Sequence, residues 1–122
     1  MRLMDRFNVL RSGGVIDRDT YEQLIRILDK LEIHRDLPIS DENGSGLMVY
    51  LGLMLMRFKR NEVSAPMASE LFEEFKVHKS YYSIALEVIE EIEAMIDLHI
   101  PESERQYLVA NIFTILDPDG KK

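Results

Sequence analysis

Apolar residues recur three and four positions apart along most of the chain, and no stretch alternates as a half-buried strand does. The pattern predicts a short first helix over 2–11, stopped by Gly13-Gly14, because paired glycines favour a chain break or C-cap. A second helix is predicted over 18–36, with Tyr21, Leu24, Ile25, Leu28 and Leu31 as its stripe and Asp17 or Asp19 as its cap. Pro38 and the polar run that follows make a loop, from which Asn43 or Ser45 can cap a third helix over 45–60. This third helix is apolar on almost every side, so it is expected to pack on several faces and to bury Leu53 among others. Arg57, Lys59 and Arg60 suit its negative end.

Pro66 is placed to open a shorter helix over 66–77. Ser80 can cap another over 80–98, with Ala85, Val88, Ile89, Ile92, Met95 and Ile96 inward and Glu87, Glu90, Glu91, Glu93 and Asp97 on the solvated face. Pro101 begins the last helix, with Glu102 and Glu104 in its favourable first turn. Its apolar content comes from Tyr107, Leu108, Ala110, Ile112, Phe113 and Ile115, and the Asp-Pro-Asp-Gly run over 117–120 breaks it. The expected fold is all-α: a compact bundle of five main helices plus a short N-terminal one. The expected layout is an N-terminal helix within 1–14, a helical domain over 15–116 and a tail over 117–122.

Composition narrows the function classes. Fifteen basic residues stand against 22 acidic ones in 122, a net charge of −7. Nucleic-acid binding draws most of its affinity from phosphate neutralisation, so direct nucleic-acid binding is not expected of so acidic a chain. There is no cysteine, which removes thiol catalysis and cysteine–zinc sites and fits a reducing compartment. No apolar stretch approaches the roughly 20 residues needed to span a bilayer, and the N-terminus has no signal-peptide core. A cytoplasmic protein without membrane association is expected.

Catalytic equipment is not evident. No serine sits in a Gly-x-Ser-x-Gly elbow, and no glycine loop of the phosphate-cradling kind occurs. Glu74 and His78 are four apart, but no second acid–histidine pair joins them to build a metal site. His34 lies in a charged surface-like stretch and His99 at a helix end. The Asp117 run opens like a calcium loop but lacks the later glycine and glutamate. No catalytic residue, metal or cofactor is assigned.

Two segments say more. Around Tyr50, the third helix runs Asn43-Gly44-Ser45-Gly46-Leu47-Met48-Val49-Tyr50-Leu51-Gly52 and continues to Arg57-Phe58-Lys59-Arg60-Asn61-Glu62. It resembles the first signature of the PTS regulation domain (PRD), in which a helical histidine precedes an arginine by seven residues and a basic and acidic tail follows. The run Ile100-Pro101-Glu102-Ser103-Glu104-Arg105-Gln106-Tyr107-Leu108-Val109-Ala110-Asn111 resembles the second signature, which ends in another histidine.

The resemblance implies a five-helix regulatory module of bacterial transcriptional antiterminators and activators, commonly homodimeric and phosphorylated on histidine by sugar-transport phosphotransferase proteins. Here Tyr50 and Asn111 stand at the two histidine positions, while Arg57 and Glu104 match their neighbours. Seven residues turn a helix by about 700°, so Tyr50 and Arg57 share a face, as do Glu104 and Asn111. Neither a phenol nor a carboxamide accepts phosphate as an imidazole nitrogen does, though both hydrogen-bond. Arg57, Glu104 and Tyr107 are the remaining binding or regulatory candidates.

The chain is thus expected to be a stand-alone, non-enzymatic module that forms a homodimer and acts through a regulatory protein partner. The alternative is a binder of an anionic, sugar-phosphate-like molecule between helices, since arginine's planar fork suits phosphate oxygens.

Overall fold

The structure, a computed structural model, describes residues 3–33, 37, 39–40 and 43–117. Among these, six helices and no strands are present: α1 (Leu3–Ser12), α2 (Arg18–Ile33), α3 (Ser45–Lys59), α4 (Ser69–Val77), α5 (Lys79–Ile96) and α6 (Glu102–Leu116). The fold is all-α, as the periodicity predicts. The chain divides into two units at Glu62 and Val63. His34 and residues 118–120 of the acidic run lie outside the described residues.

In the first unit, α1, α2 and α3 pack against one another. Asp17 is the cap of α2: its Oδ1 accepts the Thr20 N–H at 2.8 Å. Leu24, Leu28 and Leu31 of the predicted stripe are buried, and Ile27 and Thr20 join them. Thr20 satisfies its buried hydroxyl by donating to the Met56 sulfur of α3 at 3.4 Å. The two helices approach closely at Gly52, where a Cβ would lie 3.2 Å from a Leu24 methyl and 3.3 Å from an Ile16 methyl.

The C-terminal ends of α1 and α3 are closed by backbone. Gly14, at φ 77°, lets Val15 N–H reach the Leu10 carbonyl and Gly14 N–H the Arg11 carbonyl, a Schellman motif. Asn61, at φ 59°, does the same for α3, with Glu62 N–H on the Arg57 carbonyl and Asn61 N–H on that of Phe58.

Two expectations need correction here. Leu53 is 38% exposed, because α3 buries Leu47, Met48, Leu51, Gly52, Met54 and Leu55 and leaves this position outward. The N-cap of α3 is Gly44, with no side-chain cap bond. Asn43 instead exchanges hydrogen bonds with Ser40, its Oδ1 accepting the Ser40 N–H and its N–H donating to the Ser40 Oγ.

In the second unit, α4, α5 and α6 pack mutually. The α5 stripe is inward as predicted, with Met95 only half-buried. In α6, Leu108, Val109, Ile112 and Ile115 are buried, and so is Glu104. Two boundaries differ from expectation. Helix α4 begins at Ser69, three residues beyond Pro66, because Ala68 is extended at ψ 132°; in the segment before it, Ser64 N–H goes to Glu104 and Met67 N–H to Gln106. The N-cap of α5 is His78, and Ser80 lies inside the helix without capping it. Asp97, left-handed at φ 56°, ends α5.

Candidate functional site

Tyr50 and Arg57 are brought together on α3. Two turns of helix place the Arg57 guanidinium carbon 5.2 Å from the centroid of the Tyr50 ring, a cation–π contact. Both side chains are half-buried. Arg57 also contributes its carbonyl to the end of α3, where it accepts the N–H groups of Arg60 and Glu62, each at 2.9 Å. Its side chain and its backbone therefore serve the same turn.

Glu104, Tyr107 and Asn111 share α6 in the second unit. Glu104 is fully buried, and its Oε2 accepts the Ser64 N–H at 2.9 Å. Gln106 accepts the Met67 N–H at 2.8 Å, so two α6 side chains strap the segment before α4. Asn111 turns back on its own helix, its Nδ2 donating to the Tyr107 carbonyl at 2.8 Å. A carboxamide in that arrangement supports its helix and offers no nucleophile.

One cluster escaped sequence reasoning. Glu93, read as part of a solvated face, joins the α5–α6 turn instead. Its Oε2 accepts the Ile100 N–H at 2.7 Å, and its Oε1 accepts from Arg105 Nη2 at 2.8 Å. Arg105 Nε donates in turn to the Ile100 carbonyl at 3.0 Å, and the exposed His99 ring approaches Glu93 at 3.2 Å. Burial pushes the Glu93 carboxyl up. The Ile100 N–H, the Arg105 guanidinium and His99 together outweigh burial and hold it below its ordinary 4.5. The signal available in sequence was an acid seven residues before a turn and twelve before an arginine, a spacing no local rule flags. In the first unit, the Lys59 ammonium and then the Thr20 N–H hold Asp17 down at about 2.

Among the described residues, no three His, Asp or Glu side chains are grouped so as to hold a metal ion. His78 packs its ring 6.1 Å from that of Phe113, edge to face. No described helix is long and apolar enough to cross a membrane.

Most of the chain has a counterpart among known sequences. The PRD domain family model matches residues 21–113. The chain belongs to the PRD domain family. The match takes in Tyr50, Arg57, Glu104, Tyr107 and Asn111. This PRD is also similar to "Uncharacterized protein YhfY" of Escherichia coli (strain K12), 29% identical over 108 residues, which cover 88% of this chain and 89% of that protein. No solved structure matches it significantly. PRD domains are regulatory modules, and this chain is a module of that kind.

Proposed function

We propose that this PRD is a non-enzymatic interaction module of bacterial transcriptional regulation whose two phosphoacceptor positions have been replaced. It acts in the cytoplasm as a homodimer, through a regulatory protein partner and without touching nucleic acid itself. The observation that carries this reading is the state of the two replaced positions. Asn111 spends its amide on the Tyr107 carbonyl, and Tyr50 lies under the Arg57 guanidinium. One makes a neutral hydrogen bond and the other a cation–π contact, where an imidazole would present a nucleophilic nitrogen. Phosphorylation adds nearly two negative charges, and a net charge of −7 makes that addition no easier.

The experiment is incubation with phosphorylated phosphocarrier protein and transporter subunits, scored for acid-labile phosphate. The protein stays unlabelled. Label on His34, His78 or His99 overturns the replaced-site reading. Light scattering tests the assembly: a species of 14.2 kDa alone at tens of micromolar removes the homodimer from the proposal.

A further inference from the structure

The second unit carries an aromatic groove that the two signature segments do not explain. Phe75 of α4 and Phe113 of α6 meet edge to face with centroids 4.9 Å apart. Tyr81 of α5 buttresses Phe113 from another side at 5.8 Å. Ala110, Thr114 and Asp117 complete the wall, all on one side of α6 by their spacing of three and four. Phe75 and Phe113 are half-buried and Thr114 is exposed, so the rings open to solvent. One turn before Phe75, Leu71 extends this apolar row along α4 and is 56% exposed.

Three features set the sign of what fits. The groove ends at the C-terminus of α6, the negative pole of its dipole, and the last turn of that helix holds no basic residue. Asp117 adds a carboxylate at the same end. The unit as a whole, residues 63–122, holds twelve acidic against five basic side chains. Aromatic faces themselves attract cations.

We infer that this groove docks a basic segment of a partner protein, which lays an arginine or lysine over the Phe75–Phe113 pair against Asp117 and an aliphatic side chain on Leu71. The inference rests on reading the chain as an interaction module, and it supplies the chemistry of the partner. Complementary charge speeds encounter and rejects acidic competitors, while the ring pair gives the contact its place.

The test uses the full chain and a short fluorescein-labelled helical peptide with leucines one turn apart flanked by arginines. The control peptide has every arginine replaced by glutamate. Anisotropy should show binding of the basic peptide alone, with backbone and methyl shifts at Ala110, Phe113 and Thr114 in NMR spectra. Thr114→Arg places a cation in the groove and Asp117→Lys reverses its rim. Each should weaken binding about tenfold, roughly 1.4 kcal/mol, with circular dichroism and thermal midpoint unchanged. No binding of the basic peptide overturns the inference. Equal binding of both peptides, indifference to both substitutions, or shifts confined to Glu87 and Glu90 of α5 overturn it equally. Phosphate on a histidine with peptide binding intact would overturn only the replaced-site reading, so the two proposals fail separately.

Discussion

Two C-terminal helix ends of the first unit and the inter-helix segments of the second are held by different means. In the first unit, α1 and α3 end in Schellman motifs, made by backbone groups within six residues and one left-handed residue, Gly14 or Asn61. In the second, the α5–α6 turn is held by side chains, with Glu93 gripping Ile100 and Arg105, and the segment before α4 by Glu104 and Gln106. Charge divides the same way. Residues 1–62 hold ten acidic and ten basic side chains, so the entire net charge of −7 belongs to residues 63–122. A unit closed by backbone is sensitive to where Cβ atoms fit. Segments held by side chains are sensitive to single polar substitutions and to acid, and the Asp17 cap of α2 shares that sensitivity.

The contrast predicts its largest effect at Glu93. Glu93→Ala removes the acceptor of Ile100 N–H and the partner of Arg105, both largely sheltered from water. A loss of about 2–4 kcal/mol is expected, read as a lowered urea midpoint. A loss below about 1 kcal/mol would show that the turn is held by backbone after all.

Gly52→Val is the matching test of the first unit. The added atoms meet Leu24 and Ile16 at distances tighter than ordinary contact, and overpacking of this kind costs about 1–3 kcal/mol. Thermal unfolding should show the drop, with Leu51→Met as a volume-conserving control that loses less.

Acid should act more gently. The folded-state value of Asp17 is lowered from 3.8 to about 2, chiefly by Lys59. An acid so lowered contributes stability that is complete above its unfolded value and fades as pH falls from 3.8 toward 2. The pair is exposed, so this contribution is small. Glu93 is lowered in the same direction from 4.5, and its contribution likewise fades as pH falls below that value. Thermal midpoints measured from pH 6 to pH 2 should therefore fall less steeply in Asp17→Asn than in the parent, and Glu93→Gln should flatten the profile more. Parallel profiles in all three would break the assignment.

The smallest effect is expected at Leu53. Because the side chain faces outward, Leu53→Asp should change stability by less than about 1 kcal/mol in the same urea titration. A loss of several kcal/mol would place this face of α3 against a partner or a second copy.

Much of the chain could be read from sequence because it depends on neighbours within a turn or two. The stripes of α2 and α5, the cap at Asp17, the stop at Gly13-Gly14 and the paired spacing of Tyr50 with Arg57 are all of this kind. Each follows from the helical repeat or from the φ a residue tolerates, and neither needs knowledge of the rest of the molecule. The tertiary structure decided the rest. It chose which side of the all-apolar α3 faces out, leaving Leu53 exposed, since hydrophobicity without periodicity carries no direction. It started α4 at Ser69, after an extended Ala68, and gave the amides of Ser64 and Met67 to carboxylate and amide groups about forty residues on. It drew Glu93 out of a solvated face onto Arg105 and turned Asn111 onto its own helix. A buried polar group is satisfied by whatever the fold brings within about 3 Å, and a local pattern cannot report a distance that only the folded chain creates.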